Sequence, residues 1–289
     1  MEEMRHSPQA FPNVPARWLL TAVAITLLGI VVCAWLSLCL LYWQGSWQLL
    51  YHPKAAITRT PASVGLAYEP IRFAVTETGI PQLTGWWLPN PSSRFTILYL
   101  HGSDGNLSDT VDTLAALHRT SLTVFAIDYR GYGQSQPGHP SEKQLRQDAE
   151  WALGWLSQTR HIPIQSIVVY GTGLGANLAA ELTAAHSALA GVILDQPLTD
   201  AIAPVINDPR SRLVPAHWLV KDRYDLTSAT SSLHTPSLWL FAKSVVTLST
   251  QAPSAYQAVT AKKASVWLST PTQADPNLTG SLRQWLDDL

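Results

Sequence analysis

Residues 166–185 read SIVVYGTGLGANLAAELTAA. The first five have the continuous apolar character of a buried strand, and the stretch from Asn177 onward reads as a helix. Between them lies Gly171-Thr172-Gly173-Leu174-Gly175-Ala176. A glycine-rich turn from strand into helix serves one of two ends. It lets a ligand approach the backbone closely, or it holds one residue at a strained apex. In the first case Gly171, Gly173 and Ala176 satisfy G-x-G-x-x-G/A, a dinucleotide turn. Asp195 would then be the ribose-binding acid, about 20 residues on. In the second, Gly171 and Gly175 are the outer glycines of a G-x-S-x-G nucleophile elbow. The central position of that elbow is Gly173. Both motifs need small residues because the helix packs hard against the strand, so the fragment alone does not decide.

The order of elements along the chain separates the two. Strands are expected at residues 71–77, 83–89, 96–102, 122–128, 166–171, 191–196, 237–242 and 264–269. Helices are expected at 107–118, 141–157, 174–187, 254–260 and 278–289. The later strands are continuous apolar runs, as in parallel strands covered on both faces. An early antiparallel pair followed by strand–helix alternation gives a mostly parallel sheet with helices on both sides. A dinucleotide turn normally follows the first strand of its domain. Here about five strands precede it and three follow.

Two upstream segments complete the pattern. Strand 96–102 runs into His101-Gly102-Ser103-Asp104-Gly105-Asn106, and a second strand runs into Asp128-Tyr129-Arg130-Gly131-Tyr132-Gly133-Gln134-Ser135. With Tyr51-His52-Pro53, Asp222-Arg223-Tyr224-Asp225 and Thr235-Pro236, the chain resembles membrane-anchored α/β-hydrolases of the serine-aminopeptidase-like group. The similarity runs from about residue 42 to the C-terminus. It implies an α/β-hydrolase fold with an eight-stranded sheet. It also implies an oxyanion turn at Gly102 and Ser103 with Leu174 after the apex, and structural roles for His101 and Asp128.

The same resemblance implies a triad that the sequence does not supply. The nucleophile position is Gly173. The acid position falls near Val245, in a stretch without Asp or Glu, and the histidine position falls near Ala274. The last histidine of the chain is His234. Thr172 is β-branched and beside the apex, Ser103 lies in the oxyanion turn, and Asp195 reads as a strand-end acid. None restores the order of nucleophile, acid and histidine. His139, His161 and His186 are assigned no role. The sequence therefore predicts a fold without its usual catalysis, with a binding or scaffolding role. An active hydrolase of esters, amides or peptides using rearranged groups is the alternative, and nucleotide binding through the GTGLGA turn a lesser one. No cofactor and no metal site are expected.

The N-terminal part has a separate character. Residues 18–43 read WLLTAVAITLLGIVVCAWLSLCLLYW, and no charge stands between Arg17 and Lys54. A bilayer core needs about 20 apolar residues as helix, which this run exceeds. A cleaved signal peptide has a shorter apolar core, about 7–15 residues. Trp18, Tyr42, Trp43 and Trp47 are placed as interfacial aromatics. Flanking positive charges balance, so orientation rests on the short N-terminal tail, which favours a cytoplasmic N-terminus and an external domain. Residues 1–17 are expected to be a tail, 18–43 a transmembrane helix, 44–70 a linker packing on the domain and 71–289 the hydrolase domain. Both cysteines, Cys33 and Cys39, lie in the apolar run, so the globular part has no thiol chemistry. A net charge of -1 and the absence of basic runs argue against nucleic acid. The expected partners are the bilayer and a small molecule or protein at the cleft.

Overall fold

A computed structural model describes residues 15–242, 252–268 and 276–289. Its centre is an eight-stranded sheet. In chain order the strands are β1 (Glu69–Val75), β2 (Pro81–Leu88), β3 (Thr96–Leu100) and β4 (Thr123–Asp128), then β5 (Ile167–Thr172), β6 (Gly191–Asp195), β7 (Ser237–Ala242) and β8 (Lys263–Leu268). Across the sheet they run β1-β2-β4-β3-β5-β6-β7-β8. β1 pairs antiparallel with β2, and β2 antiparallel with β4; every other pairing is parallel. Thus β3 lies at the crossover, between β4 and β5.

Alternate strand residues enter two cores, because successive side chains point to opposite faces. Leu98, Leu100, Val169, Val192 and Leu194 join one cluster; Ile97, Tyr99, Val168, Tyr170 and Ile193 join the other. Helix α3 (Glu142–Gly154) and α4 (Leu174–Ala185) supply the first cluster. Helix α2 (Val111–Arg119) and α6 (Pro276–Asp287) supply the second. Helix α5 (Ala252–Ala258) joins the first through Ala255.

The expected elements are present with local differences. The helix expected from residue 107 opens with a 3-10 turn, Leu107–Thr110. Asn106 and Asp109 form a capping box there, satisfying two orphan helix donors. Past Gly154, α3 continues as a π turn, Trp155–Thr159. The linker is more ordered than its prolines imply. It holds a helical turn (Trp47–Leu50), a 3-10 turn (Pro61–Val64) and a two-residue parallel pairing of His52–Pro53 with Asp104–Gly105. Leu50 and Tyr51 are buried. The Asn106 side-chain amide donates to the carbonyls of Lys54 and Ala56, which binds the linker to the turn after β3.

Helix α1 (Ala16–Gly45) starts at Ala16 rather than at the expected Trp18. It is long and apolar enough to cross a membrane. Among its residues only Cys39 and Tyr42 are buried, so it is not a core helix. The hydroxyls of Thr21, Thr26 and Ser37 donate to carbonyls four residues back, which leaves no polar side chain unsatisfied by its own helix at those places.

Between β6 and β7 the sequence showed no element, and the structure has short helical turns: Ala203–Ile206, Pro209–Leu213, Ala216–Leu219 and Leu226–Ser231. Pro204, Pro209 and Pro215 divide the segment into pieces too short for helical periodicity to register.

Candidate functional site

The apex between β5 and α4 is Gly173, with φ 56° and ψ -120°. This is a conformation L-residues enter at a cost of about 1–3 kcal/mol, and glycine enters without it. The turn is closed by the Gly173 N–H, which donates to the carbonyl of Asp195 at 2.8 Å. The glycines on either side are crowded by backbone. A Cβ on Gly171 would stand 2.1 Å from the Gly175 carbonyl oxygen. One on Gly175 would stand 2.3 Å from the carbonyl oxygens of both Leu100 and His101. Their smallness is used for strand–helix packing, in either sequence reading of the turn. Gly173 differs: apart from its chain neighbours, no described atom lies within 4 Å of where its Cβ would be. Among the described residues, nothing blocks a side chain here.

Among the described residues, none that could serve a nucleophile lies within 4 Å of that position. A base accepting a serine proton sits within about 3 Å of its hydroxyl, so its ring would lie close to the Cβ. No histidine or carboxylate among the described residues does so. The positions near Val245 and near Ala274 follow the C-terminal ends of β7 and β8 and lie outside the described residues. Among the described residues no group of three His, Cys, Asp or Glu side chains is placed to hold a metal ion.

Gly102, Ser103 and Leu174, the residues expected at an oxyanion turn, follow β3 and β5. Leu174 begins α4, so its N–H is one of the helix's orphan donors. Gly102 stands against this turn, a Cβ there coming 3.3 Å from the Thr172 carbonyl oxygen. Ser103 is half-buried, and its carbonyl accepts from the His52 N–H at 3.0 Å and the Tyr132 hydroxyl at 2.8 Å.

His101 and Asp128 lie behind the site. Both are about 1% exposed, so neither faces an open cleft. The His101 Nδ1 is 2.7 Å from the Gly102 carbonyl, which can only accept, so Nδ1 carries the proton. The ring packs on Tyr129 and Tyr132, and Nε2 is 3.5 Å from Asp128 Oδ1, too long for a good hydrogen bond. Asp128 Oδ1 accepts from the Leu107 N–H, and the Tyr129 hydroxyl donates to the His101 carbonyl. The two sequence markers thus fix each other: the DYRGYG segment holds the HGSDGN turn.

A second set of buried polar groups supports the apex; sequence reasoning named Asp195 and Thr172 in it but not Tyr99 and Tyr170. The Tyr170 hydroxyl donates to Asp195 Oδ2 at 2.9 Å. The Tyr99 hydroxyl is 3.1 Å from Thr172 Oγ1, which turns that hydroxyl toward the core. Burial, then the nearby Asp195 carboxylate, pushes the Tyr170 phenol well above its ordinary range. Asp195 therefore orients a tyrosine. The signal for this pair was alternation: Tyr99 and Tyr170 share one sheet face, directly paired in register.

The Asp222-Arg223-Tyr224-Asp225 segment joins three elements. The Tyr51 hydroxyl donates to Asp222 Oδ2 at 2.7 Å and meets the Tyr224 hydroxyl at 2.8 Å. Asp222 Oδ1 accepts from the Glu142 N–H at the start of α3, and Glu142 accepts from the backbone N–H groups of Arg223 and Tyr224. The Asn177 amide, one turn into α4, donates to the carbonyls of Leu198 and Tyr224. The excursion between β6 and β7 is so tied to the helix of the elbow.

Comparison with known proteins gives a consistent result. The family model for serine aminopeptidase, S33, matches residues 91–268. An uncharacterized protein of Mycobacterium tuberculosis is 31% identical over 218 residues, 74% of this chain and 75% of that one. An uncharacterized membrane protein of Saccharomyces cerevisiae is 32% identical over 173 residues, 58% of this chain and 60% of its own. In structure, an esterase of Pyrococcus furiosus superposes with a TM-score of 0.64 at 16% identity, covering 83% of this chain and 98% of its own; this likeness shows the fold alone.

Proposed function

The chain belongs to the serine aminopeptidase S33 family of α/β-hydrolases, and from that premise we propose that it acts by binding rather than by turnover. The observation that carries the reading is Gly173 at the apex, with no described atom within 4 Å of where a side chain would begin. The family's nucleophile belongs there, and glycine has no hydroxyl. The stretches after β7 and β8 contain no histidine, and the one after β7 no acid. In a studied serine protease, loss of the triad removes about 10⁶ in turnover, and the oxyanion hole with binding alone leaves about 10³ over water. The ligand of such a site is a small molecule or a segment of a partner protein entering the cleft above the apex. α1 holds the domain to a membrane, with the N-terminus cytoplasmic and the domain outside.

The test uses the full chain in detergent against a panel of short-chain aryl esters and aminoacyl anilides. A serine-directed phosphonate probe is run alongside, and Gly173→Ala is the matched control. Background turnover with no label supports binding. Turnover that survives purification and loses its rate on mutation of one residue would establish the alternative, a hydrolase with rearranged groups.

A further inference from the structure

The segment between β6 and β7 climbs alongside α1. Trp35 Nε1 donates to the Leu213 carbonyl at 3.0 Å, and the Tyr42 hydroxyl donates to the Val205 carbonyl at 2.7 Å. Trp35, Leu38, Cys39 and Tyr42 fall on one face of α1 at helical spacing. Seven residues separate the two bonded aromatics, so the segment follows the helix for about 10 Å. The level it reaches is set by counting. Residues 18–43 span about 39 Å as helix, against a hydrocarbon core of about 30 Å. With Trp18 at one boundary, Trp35 stands about 26 Å away, at the inner edge of the opposite boundary. Leu213 is at the level of Trp35.

The side chains at that level are those of a membrane interface. Trp218 is 88% exposed and Leu213 61% exposed, large apolar groups that a water-facing surface does not explain. Arg212, next to Leu213 in the chain, is an exposed cation, and Lys221 is a second, its Nζ 4.3 Å from the ring centroid of Trp43, about 12 Å beyond Trp35 along α1. Tryptophan, leucine and cations side by side match the headgroup boundary, where rings and alkyl chains enter the acyl region and cations meet phosphate.

We propose that residues 209–221 are a second membrane contact, in which Leu213 and Trp218 insert into the leaflet that α1 leaves and Arg212 and Lys221 engage its phosphates. The contact rests on the reading of α1 as a membrane span. Through Asn177 and Tyr224 it fixes the elbow helix relative to the bilayer, so the cleft stands at the lipid surface rather than out in solvent.

The full chain is reconstituted in phosphatidylcholine–phosphatidylglycerol vesicles on a Cys33→Ala/Cys39→Ala background. Single cysteines are placed by Leu213→Cys, Trp218→Cys, Leu28→Cys and Ala188→Cys and labelled with bimane. All four positions are exposed, so the substitutions leave the core intact. Ala188 lies in the turn entering β6, at the end of the sheet away from the elbow. Lipid spin-labelled just below the headgroup for positions 213 and 218, lipid spin-labelled near the acyl-chain end for position 28, which stands about 15 Å from Trp18 at mid-bilayer, and aqueous iodide are the quenchers. The expected result is lipid quenching at 213 and 218 with several-fold weaker iodide quenching than at 188. Lipid quenching at 28 together with full iodide access at 213 and 218 overturns the second contact and leaves the span standing. Absence of lipid quenching at 28 overturns the span and the contact with it.

Discussion

Gly175 on α4 faces His101 at the end of β3 so closely that a Cβ at 175 would stand 2.3 Å from the His101 carbonyl oxygen. The contact brings the turn after β3 against α4. Gly175→Ala should therefore destabilise the domain by about 1–3 kcal/mol or more, the cost of overpacking a rigid site. Gly173→Ala meets no described atom within 4 Å and carries the cost of positive φ, about 1–3 kcal/mol at most. Urea unfolding of the two variants side by side checks the order. Equal effects would mean the close approach relaxes freely.

Gly173→Ser should fold and remain without esterase turnover. Its hydroxyl would find space, but no described histidine or carboxylate lies within 4 Å of the Cβ. A serine without a base is a weak nucleophile at neutral pH. A burst of aryl-alcohol release, or phosphonate labelling at 173, would show that a base reaches the site.

Tyr51→Phe removes the hydroxyl that links the linker to Asp222 and Tyr224. Burial pushes this phenol far above its ordinary range, so it stays a donor at every accessible pH. The variant should lose about 1–3 kcal/mol, since it leaves the buried Tyr224 hydroxyl and the half-buried Asp222 carboxylate each short of a partner. Proteolysis between residues 44 and 70 should speed up in parallel. Unchanged proteolysis would mean that packing of the ring alone holds the linker.

Asp148 gives a pH dependence. Burial raises its carboxyl to about 6, against the opposing pull of Arg130, whose backbone N–H and Nε both donate to it. The folded state then holds the proton more tightly than the unfolded chain. Its contribution is fully present below the ordinary value of 3.8 and is lost as pH rises through about 6. Asp148→Asn should flatten that part of the stability profile. A profile unchanged between wild type and variant would assign the slope to other groups.

Much of the fold was legible because buried parallel strands are written as unbroken apolar runs. Each of the eight expected strands has its counterpart, from β1 beginning at Glu69 to β8 ending at Leu268. The helix starts near residues 107 and 141 were legible for a similar reason: Asn106 and Ser141, which cap them, are polar side chains before an apolar stripe. The proline-divided segment 203–219 was not, because turns of four or five residues have no period to detect.

By itself the sequence determined the apolar helix, the strand order in time along the chain and the glycine at the centre of the elbow, all of which are properties of neighbouring residues. Only the tertiary structure decided which way the groups around that glycine face. Asp195 turns to Tyr170, Thr172 to Tyr99, and His101 and Asp128 are sealed behind Tyr129 and Tyr132. These partners lie 25 to 73 residues away along the chain in the first two pairs. Hydrogen bonds at that separation exist only once the sheet has set its register, which local chemistry does not encode.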